Sequence, residues 1–543
     1  MKTIYKVNLW CISLFIIMTL TSCGTDWLDE QPLSSISTAT FWKTAEDVEL
    51  ALVGVYNYSS VSNFLMSNHH LITASATDDS EYKNCALNLI YSGYFQPGET
   101  QVVQDVWNQS YYTIFRVNYF LENIESVEMN SELKAQYIAE MRFIRAFEYY
   151  FMSVFYGGVP LVTKVLTIPE ANSFSRNSLE EIVNYAISEL TEAAKNLPAT
   201  RPANERGRIL KAAALAVKGR LLMTHKRWGE AVNTYKEIID LGAHQIDPRY
   251  KAIFEEIGET SDEIILSAIY VEGLRGNRYP QLNYLPDFYG GYQENNVTQD
   301  LVDAFLVTDG LSIEESPLYD PANPFKNRDP RMYASLFLPE YTEWQGTLYL
   351  GHPELTSSGI ATMVGGTGYG WKKFSAENYT GNVRTSGADV TILRYAEVLL
   401  GYLESKIENG ETITQELLDQ TINRVRGRDE VKMPAVTETD PSKLRDILRR
   451  ERRVEFCLEK LIRYTDIRRW GLFPDILNRK VYGMKLTDDP DNYTKYRVET
   501  TGKYRGHYIA LDKTGTYKSD MAIIPIPQYE ININPNLKQN PGY

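Results

Sequence analysis

ILKAAALAVKGRLLMTHKRWGEAVNTYKEIIDLG, residues 209–242, decides the fold. Its first half interleaves small alanines (Ala212, Ala213, Ala214, Ala216) with Leu and Val. A tight break follows. The second half then sets Trp228, Ala231, Tyr235 and Ile238 three and four residues apart, on one side of a helix. Two short helices of this kind bury their apolar stripes against each other and against further pairs, so one such hairpin predicts a stack.

The small-residue first helix and aromatic-bearing second helix are those of a tetratricopeptide-type hairpin. Similar blocks lie on either side. Residues 103–125 (VQDVWNQSYYTIFRVNYFLENIE) and 131–156 form one predicted pair, the second helix carrying Phe143, Phe147, Phe151 and Val154 at helical spacing. Residues 178–197 open on Asn177, Ser178 and Glu181, a capped start. Residues 391–408 and 414–427 form another pair, with Leu393, Ala396, Leu400, Leu403 and Ile407 on one face, and 441–461 is helical again. Between the blocks, residues 65–100 and 242–390 are rich in Gly, Asn, Pro and aromatics and lack long periodicity. They read as functional excursions from a helical scaffold. The prolines and asparagines of IIPIPQYEININPNLKQNPGY predict an extended, turn-rich tail without a helix. The expected fold class is all-α, a tetratricopeptide-like helix-pair bundle with a long loop-rich face.

At the other end, Lys2 and Lys6 precede the apolar run LWCISLFIIMTL (9–20), too short to span a bilayer. Thr21 and Ser22 lead into Cys23. This resembles a bacterial lipobox, with cleavage before Cys23 and lipid on its thiol; an ordinary signal peptide with an incidental cysteine is the alternative. More than one acyl chain makes such an anchor stable. Loss of residues 1–22 removes two lysines and no acid, so the formal charge moves from −14 to −16. That balance argues against nucleic acid and anionic lipid surfaces as partners. Of four cysteines, Cys11 leaves with the signal and Cys23 is lipidated, so Cys85 and Cys457 provide no disulfide framework. Cys457 reads as a small core residue, and Cys85 as either buried or free.

Catalytic signatures are missing. GGTGYGWKK (365–373) has the glycine gap of a phosphate loop, but Trp371 stands where the lysine must be. The six histidines are scattered, which argues against zinc. No cofactor, metal or catalytic residue is expected. Glu451 and Glu455, four apart in ERRVEFCLEK, share a helix face and repel. Such a pair implies cations against it. Arg452, Arg453, Arg463, Arg468 and Arg469 are the expected ones, with Arg394 and Glu397 in a network of the same structural kind.

Seven motifs, in order along nearly the whole chain, resemble the SusD/RagB family of Bacteroidetes: CGTDWLDEQP after the lipobox, DVWNQSYYTIFRVN (105–118), AEMRFIRAFEYYFMSVFYGGVPLV (139–162), RDPRM (328–332), ILRYAEVLL (392–400), ERRVEFCLEKLIRYTDIRRWG (451–471) and the C-terminal PIPQYEININPNLKQNPGY. The resemblance implies a signal at 1–22 and one nutrient-binding domain over 23–543, with tetratricopeptide-like helices at about 103–241 and 391–461. It implies a surface lipoprotein of the outer membrane that captures an oligosaccharide or polysaccharide and passes it to a SusC-like TonB-dependent transporter. It names loop regions for the ligand, not residues. Within those loops, aromatic rings on which sugar faces lie flat and polar groups that reach hydroxyls single out Asp79, Tyr82, Tyr91 and Tyr94, then Asn283, Tyr284, Tyr289, Tyr292 and Gln293, then Trp371. Residues 279–293 are the first choice, as an exposed aromatic patch. The rival readings are a lipid-anchored glycan-degrading enzyme, and the same capture role for peptide or glycoprotein cargo.

Overall fold

The computed structural model describes residues 41–63, 77–82, 98, 101–352, 366–459, 461–489, 491, 497–514 and 523–543. The signal, Cys23, Cys85, Tyr91 and Tyr94 lie outside them.

The scaffold is a run of helices, each packed on the next in sequence: α1 (Ala45–Tyr58), α2 (Gln101–Ile124), α3 (Ser131–Tyr156), α4 (Leu179–Asn196), α5 (Lys211–Thr224) and α6 (Trp228–Leu241). Polar side chains cap the starts of α1, α3 and α4, whereas α5 and α6 begin without a side-chain cap. Asn130 Oδ1 accepts from Leu133 N at the head of α3. At α4 the capping box is complete: Ser178 Oγ accepts from Glu181 N, and the Glu181 carboxylate accepts from Ser178 N at 2.7 Å. α3 is buried over most of its length, its Phe143, Phe147, Phe151 and Phe155 forming the centre of the core. Gly157, at φ +74°, ends it.

α7 (Tyr395–Glu408) continues the stack by packing directly on α6, although residues 242–394 lie between them in the chain. Tyr235 of α6 is the contact. Its ring lies so close to Gly219 of α5 and Gly401 of α7 that a Cβ on either would come within 2.5 and 2.8 Å of it. Glycine inside a helix costs about 1 kcal/mol relative to alanine, and here it allows the helices to close on the ring.

The intervening excursion is tied at its neck. Strand Ile264–Ala268 pairs antiparallel with Val390–Arg394, so chain exit and re-entry lie side by side. Beyond the neck, Ser80–Tyr82, Asn295–Val297, Gly370–Trp371 and Leu336–Phe337 form, in that order, a small antiparallel sheet. The tail differs from expectation. A short helix, Gln528–Ile533, fits between Pro527 and Pro535, because proline is tolerated at a helix start and here bounds the helix on both sides. Asn540 Nδ2 then donates to Tyr156 O and Ile524 O, fixing the tail to the end of α3.

The segment expected as one helix over 441–461 is two. α8 (Pro441–Glu455) starts on Asp440, whose carboxylate accepts from Ser442 N and Lys443 N. It stops at Glu455 because other groups take its last carbonyls. Lys373 Nζ donates to Glu455 O and Cys457 O at 2.9 and 3.1 Å, and Arg394 and Tyr250 also donate to Glu455 O. Leu458 and Leu461 turn the chain at positive φ, and α9 (Ile462–Arg469) follows. Cys457 is a buried core residue in this turn.

Glu451 and Glu455 are indeed compensated, but by other cations than expected. Glu455 accepts from Arg394, Arg428 and Arg331 at 2.6, 2.7 and 2.8 Å. Glu451 accepts from Arg331 at 2.6 Å and Arg426 at 2.9 Å. The pairs continue through Asp329–Arg331, Glu263–Arg394, Glu263–Arg428, Glu459–Arg394 and Glu459–Lys373. Five carboxylates thus meet five cations, and no side chain among them is more than 4 % exposed. Burial alone would raise the Glu455 carboxyl; Arg428, Arg394, Arg331 and Lys373 outweigh it and hold the group well below its ordinary 4.5. The expected partners work elsewhere. Arg452 and Arg469 bind Asp466 and Glu404. Arg468 donates to Val154 O. Glu397 pairs with Arg220, joining α7 to α5.

Removing one member of such a network leaves a buried charge without its counter-ion, at about 3–5 kcal/mol. Glu455→Gln should therefore lower the urea unfolding free energy by about that amount, and Arg468→Ala, outside the network, by less. Since the folded carboxyl titrates below its unfolded value, its contribution is complete above about pH 4.5 and lost only as pH falls toward the folded value. The difference between wild type and Glu455→Gln should accordingly persist down to pH 5.

Candidate functional site: the loop-built face

The excursion's surface forms around residues 278–294. Contrary to expectation, Tyr279–Asn283 makes a single π-helical turn with Pro280 at its start, where a missing N–H costs nothing; a 3-10 turn, Asp287–Tyr289, follows Pro286, and Gly290, at φ +83°, reverses the chain. Residues 291–294 then return along 282–285, with Tyr292 N, Gln293 N and Glu294 N donating to Leu282 O, Leu285 O and Asn283 O. The approach requires glycine at 291, where a Cβ would lie 2.0 Å from Leu285 O.

This fold of the loop separates the sequence candidates into two layers. Tyr284 and Trp371 are each 1 % exposed and stack face to face with ring centres 4.3 Å apart. Asn283 is buried and donates to Glu294 Oε2 at 2.7 Å. Gln293 is buried and donates to Asn296 Oδ1 at 2.9 Å. The expectation of an exposed aromatic patch over 279–293 is therefore corrected: Tyr279 and Tyr284 pack inward on the hydrophobic core, which is a stronger use of their area than solvent contact. Tyr289 is half-buried against Phe337 and Tyr349, with its hydroxyl donating to Thr347 O. Tyr292 alone of these faces solvent substantially, at 41 % exposure.

Asp79 is also internal. Its Oδ1 accepts from Arg453 Nε at 2.7 Å, while Asp78 takes both arms of Arg463 at 2.8 and 2.7 Å. Arg453 and Arg463 thus pin residues 77–82 to α8 and α9. Burial raises the Asp79 carboxyl, with the Asp78 charge adding to it against the pull of Arg453. Tyr82 pairs through its backbone position with Asn295 in the small sheet.

The outer layer contains groups that composition did not single out. Arg384 Nη2 donates to the Tyr292 hydroxyl at 3.2 Å. Arg278 is exposed and lies over Tyr279, its guanidinium carbon 5.9 Å from the ring centre. Glu294 is half-buried, and that burial raises its carboxyl, opposed by Asn283 and by the charge of Arg278. An exposed phenol ring, two guanidinium groups and a desolvated carboxylate lie together at this rim. It can stack on an apolar ring face while donating to and accepting from hydroxyls. Arg384 is 92 residues from Tyr292, so no local pattern could have connected them. Among the described residues, no group of three or more His, Cys, Asp or Glu is placed to hold a metal ion. No helix among them is long and apolar enough to cross a membrane.

Tyr284→Ala or Trp371→Ala should act on stability, because each empties half of a buried stack. The expected loss is about 3–5 kcal/mol in chemical denaturation. A loss below about 1 kcal/mol would place these rings at the surface.

Residues 267–543 match the model of the SusD family, and residues 26–223 match a model described as starch-binding, associating with the outer membrane. A SusD-like protein of Formosa agariphila is 27 % identical over half of this chain; the chain spans about half (53 %) of that curated relative's length. A SusD-like protein of Bacteroides ovatus is 22 % identical over 96 % of this chain and 95 % of its own. The crystal structure of a SusD-like carbohydrate-binding protein from Bacteroides fragilis is 33 % identical, covers 92 % of this chain and 100 % of that one, and superposes with a TM-score of 0.85. A laminarin-binding SusD-like protein shares the fold, at 19 % identity and a TM-score of 0.67.

Proposed function

Because the chain belongs to the SusD family, we propose that it captures a glycan at the outer membrane and hands it to a TonB-dependent transporter, without chemistry of its own. The single observation that carries this reading on the molecule itself is the rim of Tyr292, Arg384, Arg278 and Glu294. It joins a ring face to groups that match hydroxyls. The name given to the Bacteroides fragilis relative, carbohydrate binding, supports the same cargo. Of the sequence candidates, Tyr292 and Tyr289 remain proposed contacts. Asp79, Asn283, Tyr284, Gln293 and Trp371 are proposed to support the face from beneath. Attachment would be through lipid on Cys23, which keeps the domain next to its transporter partner.

Screening the purified protein on a glycan array, then titrating the best ligand by calorimetry, tests the reading. Tyr292→Ala and Arg384→Ala should each weaken binding about tenfold, or about 1.4 kcal/mol, with the unfolding midpoint unchanged. Unchanged affinity in both would remove the rim from the site. New reducing ends in the titrated glycan would replace capture by hydrolysis, and selective binding of peptides would change the cargo. For the anchor, Cys23→Ala protein should leave the detergent phase into which the wild type partitions; continued partitioning would rule the lipid out.

A further inference from the structure

A cleft of about 770 Å³ opens between α2, the 160–174 connection and residues 530–537, and it shares no lining residue with the loop-built face. Its size falls within the range of small-ligand sites, about 300–1,000 Å³. The sequence shows α2 only as scaffold, yet one side of it is a row of rings. Trp107, Tyr111 and Phe115 follow at four-residue steps, with Tyr112 beside them, over about 12 Å of helix. The row graduates from inside to outside: Trp107 is buried, whereas Tyr112 is 44 % and Phe115 49 % exposed.

The walls are held in place. Tyr111 donates its hydroxyl proton to Pro160 O at 2.8 Å, and Tyr529 bonds to Asn108 across the C-terminal side. Trp107 packs on Tyr156 with ring centres 5.2 Å apart. Arg116 lies over both Tyr58 and Tyr112, at 4.0 and 4.5 Å from their ring centres, which fixes the Tyr112 ring.

The charge of the lining selects the ligand. Two carboxylates, Asp105 and Glu530, line the cleft; Glu530 is half-buried, hydrogen-bonds with the side chains of Trp107 and Tyr529, and has no ion pair among the described residues. Lys164 is already paired with Glu170 at 2.7 Å. An anionic ligand would meet a carboxylate without a compensating cation. An acyl chain would bury the Glu530 carboxylate away from water with no cation beside it, at a desolvation cost. A row of ring faces beside a carboxylate with spare acceptor capacity fits a ligand that is itself a row of rings bearing hydroxyls.

We infer that this cleft is a second carbohydrate site, specific for uncharged oligosaccharide, with Tyr112 and Phe115 as its stacking surfaces and Glu530 as an acceptor of sugar hydroxyls. The inference rests on the glycan-binding reading but uses none of the residues proposed for the loop-built face. Both rings are exposed, so their replacement leaves the core intact.

The test is calorimetry on the full-length protein with neutral hexasaccharides of glucose, mannose and xylose, a hexagalacturonate and pentalysine. A neutral hexasaccharide should bind at two sites per chain. Phe115→Ala and Tyr112→Ala should each remove one of them, with at least a tenfold loss there, while the site sensitive to Tyr292→Ala persists. Retention of one site in Phe115→Ala with loss of all binding in Tyr292→Ala would overturn the cleft and leave the loop-built face standing. The reverse pattern would support the cleft and remove the face. Phe115-dependent binding of hexagalacturonate or pentalysine without a neutral sugar would overturn the assigned ligand class. Failure of every neutral sugar to bind wild type would overturn the inference as well.

Discussion

The carboxylate of Glu455 is the point at which this structure is joined. It sits at the last turn of α8, fully buried, and three arginines from three other parts of the chain reach it: Arg331 from the excursion, Arg394 from the strand at its neck, and Arg428 from the segment after α7. Each of those arginines also holds a second carboxylate, so the cluster closes on itself with charge balanced. Forming such a cluster in a core gains little over an apolar core of the same shape, but partial formation is strongly unfavourable. The arrangement is consequently all-or-none: the excursion docks in one register or the charges stay unpaired.

That constraint explains how residues 242–394 can leave a helical stack without disrupting it. Tyr235, enclosed by Gly219 and Gly401, keeps α5, α6 and α7 in contact across the gap in sequence. The paired strands at 264–268 and 390–394 close the neck, and Arg394 at the end of the second strand carries the neck into the charge cluster. Lys373 adds a further tie, capping the end of α8 from within the excursion. An irregular loop with unmatched backbone groups belongs at the surface. Anchored in this way, it can be long and still present Tyr292, Arg384 and Glu294 in a fixed relation, and preorganisation of that kind lowers the entropic cost of binding.

The parts of the fold that were legible in the sequence are those set by neighbours along the chain. The four-residue rows of α3, the Ser178–Glu181 capping box and the small first helix of the 209–242 hairpin each depend on residues within one or two turns. The doubled glutamates of α8 also signalled correctly that cations must lie against them. Which cations did so was invisible, since Arg331 and Arg394 are more than 60 residues from Glu455 and the nearer Arg468 and Arg469 face other partners. The helix break after Glu455 was hidden for the same reason: Lys373, not a local proline or glycine, takes its carbonyls. At the candidate site, composition located the 279–293 loop but could not tell inward from outward rings. Tyr284 is internal because Trp371 and Phe374, far along the chain, pack against it.

The loop-built face and the helical scaffold form one cooperative body locked through Glu455. Native-state hydrogen exchange measures this directly, because segments that open together share one opening free energy. In wild type, the strand amides of 264–268 and 390–394 and the helix amides of 330–335 should exchange with the same opening free energy as the core of α8. In Glu455→Gln all should fall together by the same amount. If the excursion amides instead open at much lower free energy than α8 in wild type, and do not respond to Glu455→Gln, the charge cluster does not lock the face to the scaffold and the account is wrong.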